Sequence, residues 1–132
     1  ACDLAKTPVS QRGHRVRAMS LTENLPLLTA WSNDTHYYFG FVEQLKNFVE
    51  PGALLIAISG SGNSPNVLRA VEYANEVGMR TFGVCGYDGG ALLRVAQQSL
   101  HVPSDDMGLV EAVHSIVFHY LVDVLRERFA AA

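Results

Sequence analysis

Three hydroxyls and two glycines fall within the six residues Ser59-Gly60-Ser61-Gly62-Asn63-Ser64. The apolar run Ala53–Ile58 leads into them and the amphipathic stretch Pro65–Val77 leads out, which is the order strand, loop, helix. A helix N-terminus carries free N–H groups and about half a positive charge, so an anion is stabilised there without Lys or Arg. Hydroxyls on Ser59, Ser61 and Ser64 add donors suited to phosphate oxygens, and Gly60 and Gly62 allow the backbone to come close. Ser64 reads as the N-cap, with Pro65 at the first helical position and Val67, Leu68, Val71, Ala74 and Val77 on the apolar face. The loop is neither the dinucleotide G-x-G-x-x-G, whose third glycine is missing, nor a P-loop, because no Lys-Ser/Thr follows. The competing reading is a strand-to-helix turn that is merely rich in small residues; the hydroxyl count and the cap favour phosphate.

A second group lies on the long helix expected over Met107–Phe129. At about 100° per residue, Val110, Val113, Val117, Leu121, Val124 and Leu125 form an apolar stripe, with His114 on its edge as a core histidine. Glu111, Ser115 and His119 stand at i, i+4 and i+8 beside it, a carboxylate, a hydroxyl and an imidazole suited to acid/base work or metal binding. A polar helix face accounts for the row equally well. Glu111 and His119 are about 12 Å apart along the axis, so one ion held by both is easier if the ligands are shared between subunits. The basic cluster Arg12, His14, Arg15 and Arg17 reads as solvated surface.

The elements that would position these groups follow in order. Ala1–Lys6 reads as the last turns of a helix, Lys6–Gly13 as a polar loop and Arg15–Leu21 as a strand. Asn24–Trp31 reads as a short helix closed by Ser32-Asn33-Asp34, and His36–Val49 as a helix with aromatic core positions in which Gly40 suggests close packing. Strands follow at Arg80–Cys85 and Ser99–Pro103; the turn Gly86-Tyr87-Asp88-Gly89-Gly90 ends the first, on the side where open α/β sheets bind ligands. His101 reads as a packed or edge residue. Ala130–Ala132 reads as a frayed end.

The 132 residues, 48% hydrophobic, carry 10 basic and 13 acidic side chains and a net charge of −3, which describes one soluble domain over residues 1–132. That charge argues against nucleic-acid or anionic-membrane binding, and no uninterrupted apolar run of about eighteen residues is present. Cys2 and Cys85 form no C-x-x-C arrangement, which suits a reduced, cytoplasmic setting.

The alternation of strands and helices implies an α/β fold with a mostly parallel sheet. Ser59-Gly60-Ser61-Gly62-Asn63-Ser64, with Tyr87-Asp88-Gly89-Gly90, Glu111-Ala112-Val113-His114 and His119, resembles the sugar isomerase (SIS) domain in its phosphoheptose isomerase branch, over nearly the whole chain. The resemblance implies a flavodoxin-like three-layer sandwich lacking its first strand and N-terminal helices, a homotetramer with active sites at subunit interfaces, and a sugar phosphate as ligand. Ser59, Gly60, Ser61 and Ser64 match the phosphate cradle, and Asn33 and Asp34 match a pair lining the substrate site. His119 matches the catalytic histidine, which is also a zinc ligand in members that bind the metal. Asp3 stands where those isomerases carry the glutamate that serves as base and metal ligand, and Glu111 where they carry a glutamine ligand. The implied activity is conversion of sedoheptulose 7-phosphate to a heptose 7-phosphate through an enediol, with Asp3 as base, His119 as acid and zinc held by Asp3, Glu111 and His119. The shorter base leaves a second expectation, a non-catalytic SIS protein that binds a sugar phosphate or a partner, as the replication-initiator-associating relative does.

Overall fold

A computed structural model describes residues 1–131; the end of the Ala130–Ala132 tail lies outside the described residues. The elements are α1 (Cys2–Lys6), α2 (Leu25–Asp34), a 3-10 turn (Tyr37–Phe39), α3 (Gly40–Leu45), β1 (Leu54–Ile58), α4 (Pro65–Glu76), β2 (Arg80–Cys85), α5 (Leu92–Val95), β3 (Gln98–His101) and α6 (Met107–Ala130). The sheet is parallel throughout, in the order β1-β2-β3, with Leu54 opposite Arg80 and Phe82 opposite Gln98.

Alternation along the strands decides which face holds the core. Ala57 and Cys85 point to one face and meet Val71 of α4 and Leu92 of α5, all nearly excluded from solvent. Ala70 and Ala74 of α4 continue this core toward Leu45 of α3 and Met79. The opposite face is covered mainly at its carboxyl end, where Met107 and Val110 of α6 sit over Gly60 and Gly86. Leu54 and Ile58 on that face remain more than half exposed.

Several expectations are corrected. Arg15–Leu21 is not a strand; only a bridge between Val9 and Arg15 forms, because a strand needs a ladder partner and none of the described strands pairs with it. Leu21 nevertheless packs on the core beside Leu55. Asn33 and Asp34 belong to the last turn of α2 rather than to a turn after it, and Asn24 caps that helix by accepting from the Leu27 N–H. The single helix expected over His36–Val49 is a 3-10 turn followed by a short α3, which ends at Leu45. Gly40 is closely packed, as its composition suggested: a Cβ there would meet a Leu28 methyl at 2.8 Å. Val77 is exposed, whereas Asn66 is buried on α4. Taken over its 24 residues α6 is long and apolar enough to cross a membrane, although no uninterrupted apolar run exists; core helices of soluble proteins have the same composition. Of its expected stripe only Val110 is buried, with His114 on the edge, and Val122, which lies off the stripe, is buried as well.

Candidate functional site

The loop after β1 and the turn after β2 lie side by side at the carboxyl end of the sheet, and glycine lets their backbones touch. Gly62 (φ +66°) has no room for a Cβ, which would run into the carbonyl of Gly89, and a Cβ on Gly90 (φ +56°) would lie 2.5 Å from the Ser61 carbonyl oxygen. The Gly86 N–H donates to the Gly60 carbonyl at 2.7 Å, and the Leu92 N–H to that of Gly62 at 2.9 Å. Asn63 completes the join, its Oδ1 accepting from the Ala91 N–H at 3.0 Å and its Nδ2 donating to the Ser61 carbonyl at 3.1 Å. The loop is therefore held by a second loop, not only by its own strand and helix.

Within it the three serines differ. Ser59 is buried, and its hydroxyl donates to Ser64 Oγ at 2.9 Å. Ser64 occupies the N-cap position, but its hydroxyl caps no helix N–H, contrary to expectation, and accepts from Ser59. Having accepted, it keeps its own proton free to donate. Ser61 is exposed, and its Oγ accepts from the Asn63 N–H at 3.2 Å. Among the described residues, the N–H groups of Gly60, Ser61 and Ser64 have no protein acceptor. Unpaired N–H groups at the start of a helix are what an anion needs.

An open cleft of about 430 Å³ adjoins this loop, lined by Ser61, Asn63, Tyr87, Asp88 and Asp105. Tyr87, Asp88 and Asp105 were not singled out individually from the sequence; the glycine-rich turn at a strand's carboxyl end was the signal pointing to the first two. Burial and then the neighbouring Asp88 carboxylate push the Cys85 thiol above its ordinary value, so it stays protonated beneath the site.

The remaining candidates are scattered over one chain. Asn33 and Asp34 are exposed at the end of α2, with Asn33 Nδ2 donating to Asp34 Oδ1 at 3.1 Å, and they do not line the cleft. Asp3 is exposed on α1; Glu111, Ser115 and His119 lie on the exposed side of α6. His114 is buried, as expected, with Nε2 3.2 Å from the Cys85 carbonyl oxygen. Carboxylate and imidazole are donors that suit zinc, yet among the described residues no group of three His, Cys, Asp or Glu side chains is gathered closely enough to hold an ion. One chain alone does not fit the zinc centre that Asp3, Glu111 and His119 were expected to form.

Comparison with known proteins agrees with this architecture. The SIS domain family matches residues 9–86. A phosphoheptose isomerase of Helicobacter pylori is 39% identical over 113 residues, covering 86% of this chain and 59% of its own length. A probable phosphoheptose isomerase of Thermoplasma volcanium is 37% identical over 108 residues, covering 82% and 55%. The chain thus spans less than two thirds of the curated relatives it matches. Among solved structures, a phosphoheptose isomerase from Francisella tularensis superposes with a TM-score of 0.85 at 27% identity, over 96% of this chain and 69% of that one. One from Neisseria gonorrhoeae gives 0.83 at 28%, over 96% and 68%.

Proposed function

The chain belongs to the SIS domain family, and from that premise we propose that it is the phosphate-binding part of an aldose–ketose isomerase acting on a phosphorylated sugar, sedoheptulose 7-phosphate being the substrate that the resemblance to phosphoheptose isomerases implies. The observation that carries the proposal is the set of unpaired N–H groups at Gly60, Ser61 and Ser64, with the exposed Ser61 hydroxyl and the free proton of Ser64, in the loop that leads into α4. The phosphate sits there and the sugar runs along the cleft past Tyr87, Asp88 and Asp105, with Asn33 and Asp34 contributing from a neighbouring subunit.

The chemistry then needs one base and one acid. The Asp3 carboxylate removes a proton from C1 of the ketose while His119 of a neighbouring subunit donates one to the carbonyl oxygen at C2, giving a 1,2-enediol. A proton returned to C2 and one withdrawn from the C1 hydroxyl yield the aldose, D-glycero-D-manno-heptose 7-phosphate, with no net change in composition. Zinc would require Glu111, Asp3 and His119 to meet across a subunit contact, and the proton transfers are assigned to Asp3 and His119 alone. The exposed apolar side chains Leu109, Ile116 and Tyr120 on α6 support a homo-oligomer, a tetramer by resemblance, in which such a contact exists. A reduced, cytoplasmic protein without nucleic-acid or membrane partners completes the reading.

The exposed position of Asp3, one methylene shorter than a glutamate, favours a second reading: a protein that binds the sugar phosphate without turning it over. Ketose 6- and 7-phosphates incubated with the protein carrying whatever segment precedes residue 1 in its gene decide between them. Aldose formation from sedoheptulose 7-phosphate is expected; saturable binding with no turnover of any ketose phosphate would leave the binder.

A further inference from the structure

Tyr87 lines the cleft in a backbone conformation that residues other than glycine seldom adopt, φ +47°. Its peptide groups are held from the far side. The Tyr87 N–H donates to the Ser104 carbonyl at 3.0 Å, and His101 Nε2 lies 2.9 Å from the Tyr87 carbonyl oxygen. A carbonyl only accepts, so His101 carries its proton on Nε2 in this contact. The next residues, Gly89 and Gly90, are those on which Gly62 and Ser61 rest, and Ala91 is bound by Asn63. A continuous path of hydrogen bonds and backbone contacts therefore runs from the end of β3 to the serine loop.

We propose that His101 is a positioning residue for anion binding: by donating to the Tyr87 carbonyl it keeps the turn Gly86–Gly90 in the left-handed shape that braces the serine loop. Among the described residues the ring hydrogen-bonds to Tyr87 and does not line the cleft, so it acts through Tyr87. Without this bond a tyrosine at position 87 relaxes toward negative φ, Gly89 and Gly90 move away from Gly62, and the loop that carries the unpaired N–H groups of Gly60, Ser61 and Ser64 loses its brace. The inference rests on the phosphate reading of the loop for its ligand but not for its geometry.

The test uses inorganic phosphate as the probe, with affinity measured by calorimetry on the full chain. His101→Leu removes the donor and is expected to weaken phosphate binding about five- to tenfold. His101→Gln, whose amide reaches the Nε2 position, is expected to stay within about twofold of the parent, whereas His101→Asn, too short to reach, behaves like the leucine variant. In a Tyr87→Gly background, where φ +47° needs no support, the further loss on His101→Leu is expected to shrink below about twofold. Amide hydrogen exchange read without phosphate reports the brace itself. Exchange at Gly62, Gly90 and Ala91 is expected to quicken in His101→Leu and His101→Asn, but not in His101→Gln, with α4 unaltered. If the parent fails to bind phosphate, the functional reading falls and this exchange pattern still decides the inference. Unchanged exchange at those three amides in both donor-lacking variants overturns it, as does an equal affinity loss with glycine at position 87.

Discussion

A hydroxyl that accepts from one neighbour keeps its own proton for another, and this sorts the three serines of the loop. Ser61→Ala removes a donor on the cleft and Ser64→Ala one at the N-cap position, and each is expected to weaken inorganic phosphate binding about tenfold, Ser64→Ala at some cost in stability because it leaves the buried Ser59 hydroxyl without its acceptor. Ser59 is buried and bonded to Ser64, so Ser59→Ala is expected to lower the melting temperature as well. The histidines of α6 separate in the same way. His119 is exposed, so His119→Ala is expected to leave melting unchanged yet slow turnover by about 100- to 10,000-fold, and wild-type turnover in that variant would remove it from the chemistry. Asp3→Glu, in the same assay, is expected to preserve or raise the rate. His114→Ala empties a buried site bonded to the Cys85 carbonyl and is expected to destabilise the fold by about 1–3 kcal/mol with turnover per folded molecule retained. Cys85 adds a pH dependence. Its thiol is raised in the folded chain, so the unfolded chain releases that proton first. The associated stability is complete below the ordinary thiol range and declines as pH rises through it toward the raised folded value. Native protein is accordingly expected to give one rapid thiol reaction at mildly alkaline pH, from exposed Cys2, and a second only on unfolding.

At the level of elements, the join between the two loops is the most demanding feature. Gly62→Ala places a Cβ against the Gly89 carbonyl at a φ that alanine resists, and is expected to cost about 2 kcal/mol or more and to abolish phosphate affinity together. Denaturant titration alongside calorimetry checks both, and full affinity in Gly62→Ala would mean that the loops need not touch. The strand–loop–helix unit was legible from sequence because its signals are local: an apolar run, glycines, a cap position and Pro65. Its brace was not. Asn63 reaches Ala91, 28 positions away, and the Ser59–Ser64 bond, though it spans only five positions, depends on how the loop closes on itself. The same limit explains Arg15–Leu21, whose alternation suits a strand but whose hydrogen-bond partner no local pattern can supply. It also explains His36–Val49, where the aromatic periodicity persists beyond the point at which the backbone leaves the helix, at Leu45.

For the whole molecule, α6 sets the terms. Off the expected apolar stripe, Leu109, Ile116 and Tyr120 are more than half exposed on a helix that packs on the sheet chiefly through its first two turns. Ile116→Asp combined with Tyr120→Glu is expected to shift sedimentation from an oligomer to a single chain while leaving phosphate binding by the serine loop within about threefold. An unchanged sedimentation coefficient would assign that surface to some other contact. The row Glu111–Ser115–His119 shares this exposed helix, so the group assigned as acid, His119, stands beside the surface assigned to assembly, whereas the phosphate cradle is built from one chain. Catalysis would then scale with the fraction assembled, and binding would not. Gene dosage becomes a control on chemistry: at low copy number the same polypeptide would act as a reservoir that sequesters sugar phosphate, and only as its abundance crosses the assembly threshold would it begin to consume what it holds.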